Sequence, residues 1–528
     1  MKKIYITVSV LIFTLISSAQ IPTIQWQKSL GGSDWDYPNS IEQTTDGGYI
    51  IAGGSASNNF DVTGHHADMD YWIVKLDGSG SIQWRKSFGG TGWDEANSVK
   101  QTLDGGYVVA GRSSSNDGDV TGHHEVVLGN HVFSDFDYWI IKLDGNGIMQ
   151  WQKSLGGISE DNPSSILQSL DGGYIVSGST RSNDGDVTGH HGATGRDVWI
   201  VKLDSSGIIN WQKSLGGTLD DNSASIEQTL DGGYIVAGFS QSNDGDVTAN
   251  HGSLDVWTVK LSNNGGIQWQ KSLGGSYIDF ANSIKQTNDA GYIIAGTSFC
   301  NNGDVAGHHG DTTLSDYWII KLDNNGAIQW QESLGGSRVD GATSILQTND
   351  NGYIVAGQSE SNDGDVAIHN GSTNTSDYWL IKLDSNGVIS WQKTLGGSGV
   401  DYANAIQQTT DGGYIVAGYS GSNDGDVTDN HGYDDYWIVK LATATGITEL
   451  NNDFKISVYP NPANNVLNIN LSGLQVEQVS IYNINGQLLG EVKQPANNRL
   501  DIANLADGIY IAEVKVKGEV QRVRWVKM

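Results

Sequence analysis

The sequence predicts an all-β chain: a seven-bladed β-propeller of four-stranded antiparallel blades, followed by a small C-terminal β-sandwich domain. Three observations carry this. A unit of about sixty residues recurs seven times, its first tryptophan standing at Trp26, Trp84, Trp151, Trp211, Trp269, Trp330 and Trp391. Within each unit, apolar residues alternate or run continuously for a few positions between clusters of Gly, Asp, Asn and Ser, and no window has helical spacing. A linear stack of such units would need capping repeats with polar outer faces, which neither end carries, so a closed ring is expected.

Taken in order, Met1 to Ala19 has Lys2 and Lys3, an apolar run from Ile4 to Ile16, and small residues before Gln20. This reads as a secretory signal peptide, too short to serve as an anchor. The propeller is expected over 20–441, a linker over 442–454 and the tail domain over 455–528. Ile21–Gly32 (IPTIQWQKSLGG) is a fourth strand with no third strand before it, and the seventh third strand, Tyr436–Leu441, has no tryptophan strand after it. The start of the chain is therefore expected to complete the last blade.

In the first full unit the four strands are read at Ser40–Thr44, Gly48–Gly53, Tyr71–Leu76 and Ile82–Phe88. The second and third are apolar on both faces, as sheets sandwiched between sheets require. TxDGGY joins the first two strands. Its second glycine (Gly48, Gly106, Gly173, Gly233, Gly291, Gly352, Gly413) is present in all seven units, whereas the first becomes Ala290 and Asn351. The second glycine is therefore expected to hold the left-handed position of the turn. LDxxGxI joins the third strand to the fourth in the same way, with Gly80, Gly147, Gly207, Gly265, Gly326 and Gly387. Fourteen of the 17 tryptophans fall at two positions of the unit, equivalent to Trp72 and Trp84. Packing between blades is expected of them rather than an aromatic ligand cage.

Net charge is −30 overall. Residues 455–528 hold 8 basic and 6 acidic side chains, so the propeller region carries an excess of acids that repels nucleic acid and anionic lipid. Strand direction puts two acidic features on one face. One is the connector aspartate leading into each innermost strand, Asp36, Asp94, Asp161, Asp221, Asp279, Asp340 and Asp401, expected at the mouth of the central channel. The other is the loop typified by SNDGDVTGHHG. Its D-x-D pairs are Asp117 with Asp119, Asp184 with Asp186, Asp244 with Asp246, Asp363 with Asp365 and Asp424 with Asp426, and Asn59 and Asn302 open the remaining two. Calcium is the ion that such hard oxygens would suit, and it is the one cofactor the sequence suggests. Capping of their own turns is the alternative reading. The following histidines, such as His65 and His66, are matched elsewhere by Asn250, Asn370 and Asn430, which argues against a transition metal.

No catalytic constellation stands out, because every candidate nucleophile, base or acid recurs with the repeat while an active site is a single arrangement. Carboxylate neighbours Asp94 with Glu95 and Glu160 with Asp161 leave a glycosidase-like pair open. The clearest departure from the repeat is the insertion Glu125–Asp137, with lesser ones at Asp311–Ser315 and Gly371–Ser376, and a ligand site is expected near such loops. Cys300, the sole cysteine, stands where other units have serine and cannot form an internal disulfide.

Two resemblances add to this. LDxxGxIxW, as at Leu383 to Trp391, resembles the repeat of quinone-dehydrogenase-type propellers, which implies tryptophans between blades and carries no quinone site. In the tail, ISVYPNPANNVLNINL, VSIYNINGQLL and LADGIYIAEVK resemble the type A C-terminal sorting domain of the type IX secretion system. That resemblance implies recognition by an outer-membrane translocon, and delivery through the periplasm to the surface or medium of a Gram-negative bacterium. In the tail, Pro460 and Pro462 are expected to end an edge strand, and Asn485-Gly486 and Asp507-Gly508 to make hairpin turns. Function is read as an exported binding or adhesion module with a glycan or protein ligand. The alternatives are an extracellular hydrolase of polysaccharide or peptide, and a structural coat protein.

Overall fold

The computed structural model describes residues 21–128, 131–371, 375–443, 457–470, 476–483, 488–516 and 519–528. The signal peptide, most of the linker, Asn485-Gly486 and parts of two insertions lie outside them. The chain divides into two compact units, Met1–Ala444 and Thr445–Met528.

The first unit is the propeller. Its first sheet runs Asp36–Gln43, Tyr49–Ser55, Asp70–Leu76 and Ile82–Phe88, each strand antiparallel to the next. Five more sheets repeat that order. In the seventh, Asp401–Gln408, Tyr414–Ser420 and Asp435–Leu441 are joined by Ile24–Leu30 from the chain's start, with Trp26 opposite Lys440 and Leu30 opposite Tyr436. The expected closure is thus present. Innermost strands pack side by side around the ring, and that of the seventh blade meets that of the first.

Second and third strands are almost wholly buried on both faces, whereas the outermost strand is largely half-exposed. The core is therefore a set of layers between neighbouring sheets. Closing the ring, Ile415, Ala417, Tyr436 and Ile438 of the seventh blade pack with Ile41, Ile51, Trp72 and Val74 of the first. Across each of five junctions a third-strand tyrosine reaches the next blade. Tyr71 donates to the Trp139 carbonyl at 2.8 Å, and Tyr436 donates to that of Trp72 at 3.0 Å. The close approach needs room: a Cβ on Gly111 would lie 2.7 Å from the Tyr71 hydroxyl. The second tryptophan series packs edge-on against the next blade, as Trp84 does on Tyr107 at 5.8 Å.

The turn between first and second strands corrects the sequence reading. Positive φ belongs to the first glycine of TxDGGY, as at Gly47 (81°) and Gly105 (82°), and to Ala290 (63°) and Asn351 (64°) in its place. The second glycine is required by sterics instead, since a Cβ on Gly106 would lie 2.2 Å from the Leu143 carbonyl oxygen and 2.6 Å from Lys142 Nζ. That lysine is buried and pairs with Asp104 of the turn at 2.9 Å. Every blade repeats the pair. Burial opposes it, but hydrogen bonds from Thr102, Lys142 and the Gly106 amide hold Asp104 down to about 2. Gly106→Ala is accordingly expected to cost about 3 kcal/mol by overpacking, and Gly105→Ala about 1 kcal/mol for a left-handed alanine. Urea denaturation of the two variants checks the order, and equal losses would refute the steric account.

Among its described residues, the second unit holds two sheets. One is Ser457–Tyr459, Val466–Asn470 and Arg499–Asp501, and the other is Leu488–Lys493, Gln478–Asn483, Gly508–Val516 and Glu519–Lys527. Leu467, Val479, Ala512, Val514 and Trp525 form its core. Ser457–Tyr459 is an edge strand, with Pro460 directly after it. Asp507-Gly508 is not a hairpin turn. Gly508 already pairs with Lys527, and the chain reverses between Val516 and Glu519.

Candidate functional site

Each connector aspartate begins an innermost strand, and the structure places all seven in the protein interior rather than at an open channel mouth. Asp36 accepts the Gly32 amide at 2.7 Å and the Ser57 hydroxyl at 3.0 Å. The serine is replaced once, by Cys300, whose Sγ donates to Asp279 at 3.1 Å; burial first, then that contact, pushes the thiol up to about 12. Burial also raises Asp36, Asp161 and Asp340 to about 7 and Asp94 to about 6, and shifts Asp221, Asp279 and Asp401 the same way.

Every connector aspartate lies across a glycine from a second buried carboxylate, the first residue of the preceding blade's third strand. For Asp36 this is Asp435: both carboxylates reach to 2.6 Å from the place a Cβ on Gly31 would take. The seven aspartates of that second series (Asp70, Asp137, Asp197, Asp255, Asp316, Asp377, Asp435) each leave Oδ1 buried without a hydrogen bond. In six blades Oδ2 accepts from a histidine, through its amide and its Nδ1, as Asp137 does from His124.

The D-x-D loops reach across the same junctions. Asp117 accepts the Thr91 amide at 2.7 Å, and Asp184, Asp244, Asp363 and Asp424 accept the equivalent amides of Ile158, Thr218, Ser337 and Ser398. Asn59 and Asn302 do the same through Oδ1, so an amide serves where an acceptor is all that is needed. The second aspartates, Asp119, Asp186, Asp246, Asp304, Asp365 and Asp426, accept from a glycine amide of the preceding blade at 3.2 to 3.4 Å. Asp61 instead pairs with Arg85. These contacts tie the loops to the chain that leads in from the preceding blade. Among the described residues, no three His, Cys, Asp or Glu side chains already surround a common point as metal ligands would. At the position of His123, which contacts the Ser113 carbonyl, Asn250 and Asn430 donate to the equivalent Ser240 and Ser420 carbonyls.

The glycosidase-like neighbours face apart, as successive strand residues do. Asp94 and Asp161 are buried, while Glu95 pairs with Arg112 at 2.7 Å and Glu160 with Arg196 at 2.7 Å. Burial would raise Glu160, but its Arg196 and Asn162 hydrogen bonds and the arginine charges leave it below its ordinary value. That is the wrong direction for a general acid. In the largest insertion, Glu125–Leu128 and His131–Ser134 form a separate two-stranded sheet.

Departures from the repeat instead gather where the seventh blade meets the first. Trp35, Phe60 and Tyr433 are exposed there. Trp35 and Tyr433 lie 5.7 Å apart, Tyr37 meets Tyr419 at 5.0 Å, and Tyr402 stacks on Tyr419 at 5.5 Å and 2°. Tyr37 donates to Asp434 at 3.2 Å, and burial raises that carboxyl. This platform was missed in the sequence. Its signal lies in three columns: Trp35 stands where later blades have Trp93, Glu160, Asp220, Ile278, Val339 and Val400, and Tyr37 and Tyr419 replace mostly non-aromatic residues.

Residues 457–528 match the family of secretion system C-terminal sorting domains. A type IX sorting tail indicates a secreted or cell-surface protein and an interaction with that secretion system. A search of curated proteins gave no match. Among solved structures, the chain is similar to BamB from Moraxella catarrhalis, at 13% identity and TM-score 0.38, covering 80% of this chain and 100% of that one. It is also similar to the WD40 domain of Pan2 from Neurospora crassa, at 10% identity and TM-score 0.39, covering 80% and 96%. No helix among the described residues is long and apolar enough to cross a membrane.

Proposed function

We propose, starting from a propeller that carries a secretion-system sorting tail, that the protein is an exported binding module for a neutral polysaccharide. The observation that carries this reading is the aromatic platform of Trp35, Tyr37, Phe60, Tyr402, Tyr419 and Tyr433. Sevenfold repetition breaks there toward the exposed rings of Trp35, Phe60 and Tyr433, with the half-buried Tyr37, Tyr402 and Tyr419 beneath the same junction and Asp34 and Asp434 as carboxylate acceptors beside them. A sugar offers C–H faces that pack on aromatic rings and hydroxyls that donate to carboxylates. The acidic surface disfavours anionic glycans.

Affinity electrophoresis of the full-length protein against a panel of neutral polysaccharides tests the reading. Retardation by at least one is expected, weakened about tenfold, or about 1.4 kcal/mol, in the Trp35→Ala/Tyr433→Ala double variant. Tyr277→Ala, an exposed tyrosine in another blade, should leave it unchanged. No retardation by any member, or retardation indifferent to the double variant, would reject it.

A further inference from the structure

We infer that the propeller face carrying the tight hairpins docks a second copy of this chain, in a dimer whose two-fold axis runs along the radius of the third blade. Antiparallel strands put both tight hairpins of each blade on the face opposite the connectors and D-x-D loops. The residue just before the turn aspartate of the first hairpin is, in blade order, Thr45, Leu103, Leu170, Leu230, Asn288, Asn349 and Thr410. Three consecutive blades thus place leucine there, and Leu103, Leu170 and Leu230 are 87%, 80% and 81% exposed. The tips form a continuous arc, since the Leu103 amide donates to Gln168 of the next blade at 2.8 Å and the Leu170 amide to Gln228 at 2.9 Å. The second hairpins of the same blades add Ile148 and Ile208, each 60% exposed. A Cβ on Gly145 would lie 3.2 Å from the Gly105 carbonyl oxygen, so the two hairpins of the second blade touch.

Five apolar side chains of about 100 Å² each expose about 500 Å², the upper end of what a monomer shows and the mark of an interface. A polar rim brings that to the roughly 800 Å² that each partner of a stable pair buries. The acids of these hairpins do not oppose the contact. Asp104, Asp171 and Asp231 are paired with buried Lys142, Lys202 and Lys260 at 2.9, 2.9 and 3.0 Å. Asp144 and Asp204 each accept two amides of their own hairpins.

A second copy is the occupant that matches this face. Rotation about the radius of the third blade sets Leu170 on Leu170, Ile208 on Ile208 and Leu103 on Leu230, and of the seven radii only this one sets every leucine of the arc against a leucine. The same rotation sets Thr45 against Asn288 and Thr410 against Asn349, which can exchange hydrogen bonds. Three residues before each tip, near the end of the innermost strand, stands a second ring: Glu42, Lys100, Leu167, Glu227 and Lys285 in the first five blades. Within one chain Glu42 and Lys100 stand 4.0 Å apart, and Glu227 and Lys285 3.9 Å. Across the two-fold axis Lys100 meets the second copy's Glu227, Glu42 meets its Lys285 and Leu167 meets itself, so every charge of the ring faces its opposite. Only Leu346 against Gln407 is unmatched. Leu441, where the chain leaves the propeller, belongs to the seventh blade, on the far side of the ring from the third. Stacking by this face leaves the aromatic platform of each copy outward.

Sedimentation velocity of the full-length protein tests the dimer, which is expected to be half-formed at about 10 µM. Leu170→Glu, at an exposed position, should raise its Kd at least about 100-fold by placing like charges on the axis. Cross-linking with a short bismaleimide tests the axis itself, because the sole native thiol, Cys300, is buried. Leu170→Cys should link to its own copy, whereas Leu103→Cys and Leu230→Cys should link only when the two variants are mixed. A protein still monomeric at about 100 µM, a dimer indifferent to Leu170→Glu, or Leu103→Cys linking to itself as readily as to Leu230→Cys would each overturn the inference. Capture of such a monomer by phosphatidylcholine vesicles would overturn it too, by assigning the arc to a lipid surface.

Discussion

Removal of residues 21–32 should lower the melting temperature by roughly 5 °C, the largest change expected from any short deletion. The lost segment supplies Ile24–Leu30, which pairs with Asp435–Leu441 through six residue partners and covers a strand buried along its whole length. Its loss leaves one edge of that buried strand unpaired and opens its side chains to water, which costs on the order of 5 kcal/mol. Spread over an unfolding entropy of about 2.1 cal/mol/K per residue for this propeller, that is the stated shift. A truncated protein melting within about a degree of the parent would mean that the closing strand is dispensable.

Stability should also fall as pH rises from 5 to 8, the reverse of the usual carboxylate behaviour. An unfolded aspartate titrates near 3.9. Asp36, Asp161 and Asp340 titrate near 7 in the folded state and Asp94 near 6, because burial disfavours their ionised form. Below about pH 4 these carboxyls are protonated in both states, and the folded state pays nothing for them. Between pH 4 and 7 the folded state alone retains the protons, so each further pH unit costs it up to about 1.4 kcal/mol per group. His124, raised by its carboxylate neighbours, loses its contribution in the same direction. Asp46, Asp104, Asp231 and Asp289, held down to about 2 by their turns and lysines, act oppositely and lose theirs only as pH drops below 4. Maximum stability is therefore expected near pH 4 to 5, with a loss on the order of 10 kcal/mol by pH 8. Chemical denaturation across that range at constant ionic strength checks it, with Asp161→Asn as the variant whose slope should be shallower. A midpoint that holds or climbs between pH 5 and 8 would contradict the buried-acid account.

Much of the fold was legible because repetition multiplies weak signals. One GYIIAG run is ambiguous, but seven at a fixed interval with an orphan strand at each end specify the ring and its closure. The fourth strand of the first unit, Ile82–Phe88, matches residue for residue. The innermost strand begins four residues earlier than read, at Asp36, because DYPN is polar and its burial comes from neighbouring blades rather than from any local pattern. In the tail, none of the side chains of Leu488–Lys493 is buried, so that strand carries no alternation to detect. At the TxDGGY turn, invariance across units pointed to the second glycine, but invariance tracks the least tolerant constraint. The left-handed position accepts Asn351, while the crowded one accepts no Cβ at all. The junction carboxylates were found as columns of aspartate, yet their facing partners lie in the preceding blade and are invisible along the chain. The aromatic platform required comparing units column by column.

The strand placement of the cations bears on survival outside the cell. Of the 20 lysines and arginines in the propeller, all but Arg181, Arg196 and Arg338 fall inside strands. Seven of the lysines are moreover buried against the acidic turns. A peptidase that cuts after basic residues must draw about eight residues of extended backbone into its cleft, which paired strands do not release without local unfolding. For such an enzyme the large acidic disc presents three accessible bonds, all in loops, and the arginines at two of them, Arg181 and Arg196, are already engaged by Glu160.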